Sequence, residues 1–346
     1  MKRACSDNIA GMPSLPGPSA THRALVTAPM RGPGLDKLAK LVDVVHEPWI
    51  DQSPLRLYDG AALAQRLEAE GADIAIVEAD FVSGPVFELP LLAVAATRGD
   101  PNNVDVAAAT AAGVPVLRTP GRNADAVAEL AVGLLLAVIR RILPADDDVR
   151  QIEVFRDGTI PYQRFRGWEL AGRRAAIVGY GAVGRALEWR LRGLGMDVVA
   201  YDPYVEDAGH DLEAAVSGAD VVSLHAAVTP ETVGFFGPEQ FSWMRPGSVF
   251  LNTARAKLAD MDALVAALES GHLVGAALDH SEGEQLPAGH PLLAMDNVVL
   301  TPHIGGATTE TEARGAQMVA DDIERLLNGE MPLYIVNPEV LGGTRA

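Results

Sequence analysis

The sequence predicts an α/β protein made of two Rossmann-like domains. Its 346 residues are 48% hydrophobic and include 34 glycines, so the chain is long enough to bury two separate cores. Short apolar runs of strand length alternate with helical stretches and turn residues, as in layered proteins with parallel sheets. A Gly-x-Gly-x-x-Gly loop at 179–184 directly follows one such run. These observations indicate that the second domain is doubly wound and suited to a dinucleotide.

The first domain is predicted to start after an extension. Residues 1–21 are rich in proline, glycine and serine and show no hydrophobic period, so we expect them to be disordered. Helical stretches then separate the apolar runs that follow, which predicts a flavodoxin-like parallel sheet of about five strands. These runs lie at 24–26, 74–77, 91–94 and 114–117, with a weaker one at 41–45.

The second domain contains a further series of apolar runs after Gly172, and six such runs with helices between them suit a doubly wound sheet. Helices predicted near 124–141 and 309–327 lie where the chain passes between the domains. We therefore expect a discontinuous substrate-binding domain, 22–123 plus 312–346, and a dinucleotide-binding domain, 124–311. The six runs are 175–178, 198–201, 221–224, 249–251, 276–278 and 298–300.

Composition excludes several classes of protein. The formal net charge of -18 repels polyanions, and no basic patch offers a nucleic-acid surface. The longest apolar stretch, 126–139, is interrupted by Glu129 and is shorter than the roughly 20 residues that cross a bilayer. Cys5 is the single cysteine and no export signal is visible, so we expect a cytoplasmic protein without disulfides. No histidine or cysteine cluster has the spacing of metal ligands, so no metal is expected.

The glycine loop predicts a dinucleotide site. Gly179 permits the turn, Gly181 lets a pyrophosphate approach the backbone, and Gly184 lets the following helix pack on the strand. Asp202 ends the next strand, 18 residues after Gly184, where its carboxylate accepts hydrogen bonds from the adenosine ribose. That carboxylate repels a 2′-phosphate, which favours NAD over NADP. The alternative is a tight turn with no ligand.

Two side chains at predicted strand ends indicate hydride-transfer chemistry. Arg255 follows the run 249–251, and its planar guanidinium can grip a carboxylate and polarise the neighbouring carbonyl. His303 follows the run 298–300, and it can exchange the proton that accompanies the hydride. For Arg255 the alternative is a surface ion pair.

Each of the other polar residues near these strand ends has two possible roles. His225 either lines the cofactor cleft or packs against its own strand, and His280 either contacts substrate or cofactor or packs there. Either Glu282 or Glu284 is expected to pair with His303 and favour the charged imidazole. The residues alone do not choose between the two glutamates.

Six segments, in this order, resemble the D-isomer-specific 2-hydroxyacid dehydrogenase family, which includes D-phosphoglycerate, D-lactate, glyoxylate/hydroxypyruvate, formate and phosphite dehydrogenases. The resemblance runs from about Arg23 to Gly329. The segments are Asn-Asn-Val-Asp at 102–105, Gly-Val-Pro-Val at 113–116, Ala-Val-Ala-Glu at 126–129, the glycine loop, Asn-Thr-Ala-Arg at 252–255 and Thr-Pro-His-Ile-Gly-Gly-Ala-Thr at 301–308.

The resemblance implies roles for particular residues. The family's catalytic arginine, glutamate and histidine fall on Arg255, Glu284 and His303, and Glu284 is selected because it lies five residues after Asp279. Asp279 is implied to contact the nicotinamide carboxamide. The resemblance also implies a homodimer through the NAD-binding domains and closure of the two domains around substrate. The substrate carboxylate is implied at Arg98, Gly99 and Asp100, and further cofactor contacts at Ala182, Val183, Thr253, Ala254, Gly305 and Gly306.

Departures from the family pattern bear on the substrate. Ala256 and Gln285 replace the family's glycine and proline, and His280-Ser281 replaces Val-Phe. Acids at 78–80 stand where phosphoglycerate enzymes have an arginine, which disfavours phosphoglycerate as the substrate. Arg98 either binds a second anionic group or forms an outward ion pair.

We therefore expect an NAD-dependent enzyme that interconverts a small 2-oxo acid and its D-2-hydroxy acid, with a small anionic carboxylate as its partner. One alternative is a formate-, phosphite- or phosphonate-type dehydrogenase. The other is an NAD(H)-sensing corepressor or scaffold without turnover.

Overall fold

The computed structural model describes residues 22–281, 283 and 285–342. The extension predicted at 1–21 lies outside the described residues. Contacts divide the chain into two compact units. The first joins the parts that precede Asn123 and follow Ala307, and the second is Asn123–Ala307. Both are α/β units with parallel sheets, which confirms the predicted class of two Rossmann-like domains.

The first unit contains a five-stranded parallel sheet with the order β2-β1-β3-β4-β5, the flavodoxin-like order. The fourth and fifth strands begin later than their apolar runs do, and Pro115, which has no N–H to donate, directly precedes the fifth. The strands are β1 Arg23–Val26, β2 Asp43–His46, β3 Ile74–Val77, β4 Ala93–Ala96 and β5 Val116–Leu117.

Helices cover both faces of this sheet. On one face Leu38, Ile76 and Ile323 belong to one buried cluster, and on the other Leu63 and Val94 belong to a second. Burial on both faces explains why these strands are continuous apolar runs rather than alternating ones. The helices of the first unit are α1 Pro33–Leu41, α2 Gly60–Glu70, α3 Val106–Ala111 and α11 Thr309–Leu327.

The second unit contains a six-stranded parallel sheet with the order β11-β10-β9-β8-β6-β7. The chain starts at β6, adds β7 on one side, and then adds β8 to β11 on the other. The carboxyl ends of β6 and β8 therefore flank the switch point, where open α/β sheets bind ligands. The strands are β6 Arg174–Val178, β7 Asp197–Tyr201, β8 Val221–Leu224, β9 Ser248–Asn252, β10 Leu273–Leu278 and β11 Val298–Leu300.

Two cores lie on the faces of this second sheet. Leu135 and Leu187 pack on one face, and Phe236, Phe241 and Phe250 form a cluster of rings on the other. Among the described helices, none is long and apolar enough to span a membrane. The helices of this unit are α4 Ala124–Ile139, α5 Ile142–Arg150, α6 Pro161–Arg164, α7 Ala182–Gly193, α8 Leu212–Val216, α9 Pro238–Trp243 and α10 Met261–Glu269.

Candidate active site

The three glycines of the 179–184 loop have different local surroundings. Gly179 has a φ of +97°, and a Cβ there would lie 2.4 Å from the Ala226 nitrogen. A Cβ on Gly184 would lie 2.3 Å from the Gly179 oxygen, so α7 can only approach β6 this closely with glycine. Gly181 is different, because a Cβ there would meet no atom of the described residues within 4 Å. The space over Gly181 is therefore open toward a ligand.

The first turn of α7 faces this open space. The helix begins at Ala182 and Gly181 is its N-cap, so the amides of Ala182, Val183 and Gly184 precede the first intrahelical hydrogen bonds. Unsatisfied amides and the positive end of the helix dipole attract a phosphate. The structure thus provides a cradle that fits the pyrophosphate of a dinucleotide.

Asp202 is held beside the same loop. One of its carboxylate oxygens accepts a hydrogen bond from the Tyr180 amide at 2.9 Å, and the other accepts one from the Tyr204 amide at 3.0 Å. The side chain is half-buried and directly follows β7. Each carboxylate oxygen keeps a second lone pair, which suits the ribose role predicted for this residue.

His225 and Thr253 carry polar atoms toward the interior of the second unit. The His225 Nε2 contacts the Ser223 hydroxyl at 2.8 Å, and burial lowers the pKa of His225 to about 4, so its ring is neutral at pH 7. The His225 Nδ1 and the Thr253 hydroxyl are buried and have no hydrogen-bond partner within the described part of the chain. Buried polar atoms usually have a hydrogen-bond partner, so these two atoms at strand ends are suited to bind a polar ligand.

Asp279 organises the turn after β11. Its carboxylate is 1% exposed and accepts hydrogen bonds from the Thr301 hydroxyl at 2.7 Å, the Ile304 amide at 2.9 Å and the Gly305 amide at 2.8 Å. The amide of Gly305, a predicted cofactor contact, is therefore bound to Asp279. A Cβ on Gly305 would lie 2.8 Å from the same carboxylate, and one on Gly306 would lie 3.3 Å from the Asn123 amide nitrogen.

Arg255 follows β9 on an exposed loop. The buried Asn252 shapes this loop, because its side chain accepts from the Ala254 amide at 3.0 Å and donates to the Arg255 carbonyl at 2.9 Å. The Arg255 guanidinium donates to the Ala254 carbonyl at 2.7 Å and remains exposed. This hydrogen bond uses one of the five N–H donors of the guanidinium, so donors remain for a carboxylate.

His303 occupies an unusual backbone conformation. Its φ is +56°, in the left-handed region, and its amide donates to the Thr301 carbonyl at 3.1 Å. Non-glycine residues rarely adopt this conformation and concentrate at functional sites when they do. The hydrogen bonds from Ile304 and Gly305 to Asp279 keep the turn in place, and the His303 side chain is exposed.

His280 lies against His303, a contact that the sequence does not reveal. The two ring centroids are 3.9 Å apart with an interplanar angle of 65°, and the His280 Nε2 lies 3.2 Å from the Thr253 carbonyl. His280 is 6% exposed. Burial, followed by the positive charges of His303 and Arg255, lowers the pKa of His280 to about 4. His280 is therefore a neutral imidazole at pH 7.

Glu284, the predicted third member of the catalytic set, and its alternative Glu282 lie outside the described residues. Among the residues that are described, no group of three or more histidine, cysteine, aspartate or glutamate side chains forms a metal site.

The predicted carboxylate loop follows β4 in the first unit. The Arg98 guanidinium donates to the Asn102 side chain at 2.6 Å, and the Arg98 carbonyl accepts from the Thr119 amide at 2.7 Å. Gly99 is half-buried and Asp100 is exposed. The Arg98 side chain is thus bound within its own loop.

The acids after β3 are bound inside the first unit. Glu78 forms an ion pair with Arg122, a partner 44 residues away, and accepts from the Trp49 indole at 3.2 Å. Asp80 is fully buried and accepts hydrogen bonds from the Thr27 hydroxyl and the Tyr58 amide. Both carboxylates therefore stabilise the end of the sheet.

The fold and this site together define a class, the nicotinamide-dependent dehydrogenases with two Rossmann-like domains. The family model described as "D-isomer specific 2-hydroxyacid dehydrogenase, NAD binding domain" matches residues 132–305. The chain is 36% identical over 335 residues to a glyoxylate reductase of Thermofilum pendens, and the match covers 93% of this chain and 96% of that protein.

Two further proteins are similar to this chain over most of its length. The putative 2-hydroxyacid dehydrogenase YoaD of Bacillus subtilis is 36% identical over 299 residues, covering 83% of this chain and 86% of that protein. The crystal structure of the TT0316 protein from Thermus thermophilus has a TM-score of 0.76 and 35% identity, covering 91% of this chain and 99% of that one. The chain belongs to the D-isomer-specific 2-hydroxyacid dehydrogenase family. It is an NAD-dependent 2-hydroxyacid dehydrogenase or reductase.

Proposed function

We propose that this enzyme interconverts a small, unphosphorylated 2-oxo acid and its D-2-hydroxy acid, with His303 as the acid/base. The observation that carries the proposal is the arrangement of Arg255 and His303. Both follow strands that flank β10, and the carboxylate of Asp279 at the end of β10 fixes the His303 turn. NAD supplies or accepts the hydride when it is bound.

Gly181, the amides at the start of α7 and Asp202 would hold the dinucleotide. The open space at Gly181 supports the pyrophosphate contact, and the fixed carboxylate of Asp202 supports a ribose contact. Asp202 would also repel a 2′-phosphate. We therefore expect a preference for NADH over NADPH.

Arg255 would bind the substrate carboxylate and polarise the neighbouring carbonyl. Its guanidinium is exposed and keeps donors beyond the one given to the Ala254 carbonyl. In the first unit, the backbone amides of Arg98, Gly99 and Asp100 are proposed as carboxylate-binding groups, as the family resemblance implies. Glu78 stands where a phosphate-binding arginine would be needed and is paired with Arg122, which disfavours phosphoglycerate as the substrate, and the Arg98 guanidinium already donates to Asn102.

His303 would donate its proton to the carbonyl oxygen as hydride reaches the carbonyl carbon, and would accept the hydroxyl proton in the reverse direction. Glu284 is the proposed partner of His303, because it stands five residues after Asp279 as the family's acid does. A carboxylate beside the ring favours its charged form, which is the form that donates.

The enzyme is also proposed to be a cytoplasmic homodimer. The region from α5 to α6 exposes several large apolar side chains, including Ile152 at 91%, Phe155 at 78% and Tyr162 at 86%. Apolar side chains grouped in this way mark association surfaces. Sedimentation of the wild type against Phe155→Ser with Tyr162→Ser should show a dimer that dissociates in the variant. A wild-type monomer would contradict this part of the proposal.

The substrate class is tested by NADH oxidation with glyoxylate, pyruvate, hydroxypyruvate, its 3-phosphate and phosphonopyruvate. We expect turnover of one or more of the first three, with kcat/KM for both phosphorus-containing acids at least tenfold lower. Preference for a phosphorus-containing acid would overturn the proposed substrate class. Formate or phosphite oxidation without any 2-oxo acid reduction would favour that alternative, and no turnover with intact NADH binding would favour a sensor.

A further inference from the structure

His280 packs against the proposed acid/base and has no role in the proposed reaction. It stands two residues after β10, next to Asp279. The strand ends here are in register, since the Asp279 amide donates to the Asn252 carbonyl at 3.0 Å and the Thr301 amide donates to the Leu278 carbonyl at 3.0 Å. This register sets His280 between the loop that carries Arg255 and the turn that carries His303.

Two contacts tie His280 to these segments. Its Nε2 lies 3.2 Å from the Thr253 carbonyl, which can only accept, so Nε2 carries the proton and donates it. Its ring meets the His303 ring at a centroid distance of 3.9 Å and an angle of 65°, an edge-to-face contact. His280 is therefore anchored at Thr253 and packs on His303.

We propose that His280 is a positioning residue: its ring, anchored to the Thr253 carbonyl, fixes the orientation of the His303 imidazole. This inference rests on the proposed acid/base role of His303. His303 lies in a left-handed turn with an exposed side chain, so packing that limits its ring rotation favours the reactive orientation. Small losses of alignment at a reacting group cost large factors in rate.

A proton-relay role for His280 is disfavoured by the same contacts. The Nε2 proton is committed to a backbone carbonyl, and the ring is nearly inaccessible. Burial is the main cause that lowers the pKa of His280 to about 4; His303 and Arg255 lower it further, whereas Asp279 opposes the shift. Near neutral pH it therefore holds its proton and stays uncharged.

Three substitutions separate the two contacts. His280→Val removes both the ring and the N–H donor, His280→Gln keeps a donor of similar reach, and His280→Phe keeps the ring. The matched control is His272→Val, because His272 also contacts a backbone carbonyl through Nε2, that of Phe241 at 3.0 Å, and directly precedes β10, at the opposite end of that strand from His280. Each variant is measured for kcat, KM for NADH and thermal midpoint.

We expect His280→Val to lower kcat at least tenfold with KM for NADH changed less than twofold, and Gln and Phe to restore part of kcat. His272→Val should keep wild-type kcat. Wild-type kcat in His280→Val would show that His280 has no positioning role. The same conclusion would follow if the loss of kcat were no larger than the loss of folded protein.

A second measurement does not depend on turnover. Nitrogen-15 NMR of histidine-labelled wild type should show His280 as the neutral Nε2–H tautomer from pH 5.5 to 8, with its resonances identified by their loss in His280→Gln. A charged His280, or the Nδ1–H tautomer, would overturn the inference. This measurement needs no substrate, so it tests His280 independently of the proposed reaction. An error in the proposed reaction would instead appear as full activity in a His303 variant.

Discussion

The buried carboxylate of Asp279 accepts a hydrogen bond from the Gly305 amide at 2.8 Å and so fixes the turn that carries His303. The predicted role of Asp279 was a contact with the nicotinamide carboxamide. Its three internal hydrogen bonds give it a second role, which is to hold the end of β10 and the turn after β11 together.

Asp279→Asn should therefore reduce both stability and activity. The change replaces a charged acceptor with a neutral amide, which cannot satisfy all three donors. We expect a loss of about 2 kcal/mol in the free energy of unfolding, measured with urea, because hydrogen bonds to charged groups contribute about 1.5–3 kcal/mol. The kcat should fall by at least tenfold. Asp296→Asn, an exposed acid in the same unit, is the control, and equal effects of the two changes would contradict this role.

Alanine at Gly181 should weaken NADH binding, whereas alanine at Gly184 should destabilise the fold. Gly181→Ala adds a methyl group to open space, so the free energy of unfolding should stay within about 0.5 kcal/mol while Kd for NADH rises at least tenfold. Gly184→Ala places its Cβ 2.3 Å from a carbonyl oxygen and should destabilise the fold by about 1–3 kcal/mol. Unchanged NADH binding in folded Gly181→Ala would contradict the pyrophosphate site.

The charge of Asp202 should set the preference between the two nicotinamide cofactors. Asp202→Asn keeps an oxygen that can accept from the Tyr180 amide but removes the negative charge. We expect the ratio of kcat/KM for NADPH to that for NADH to rise at least tenfold. Asp207→Asn, a nearby exposed acid, should leave the ratio unchanged. A ratio that does not respond to Asp202→Asn would show that another group excludes the 2′-phosphate.

Burial of neutral His280 should make the fold sensitive to acid. Its pKa is about 4 in the folded protein and 6.5 as the ordinary value, so the unfolded chain binds the proton more tightly. Stability from this group is therefore complete above pH 6.5 and is lost as the pH falls toward 4. At about 1.4 kcal/mol per pKa unit, the loss is up to roughly 3 kcal/mol. The free energy of unfolding, measured with urea from pH 7 to 4, should fall less in His280→Val than in the wild type. An equal fall in both proteins would contradict a buried, neutral His280.

Much of the fold and part of the site follow from local sequence patterns. Each apolar run in the second unit became a parallel strand, because a strand buried on both faces must be continuously apolar. Arg255, His303 and Asp202 stand at strand ends, and strand ends of a parallel sheet meet at one edge. The three residues can therefore be assigned to this edge of the sheet even when the register of the strands is unknown.

The remaining features depend on contacts between distant segments. The ring contact between His280 and His303 depends on the register of β10 and β11, and the pairing of Glu78 with Arg122 joins residues 44 positions apart. Neither leaves a periodic signal in the sequence. The order His280-Ser281 marked an altered position, but only the structure shows which residue it contacts.

The proposed reaction depends on His303, which would move the proton during hydride transfer. The most direct test compares kcat for the best 2-oxo acid of the panel in wild type and His303→Gln, with Kd for NADH measured by fluorescence on the same preparations. We predict a loss of at least 100-fold in kcat with Kd for NADH changed less than threefold, since general acid catalysis typically contributes about 10² to 10⁴. A folded His303→Gln enzyme that binds NADH and turns over at the wild-type rate would show that His303 is not the acid/base.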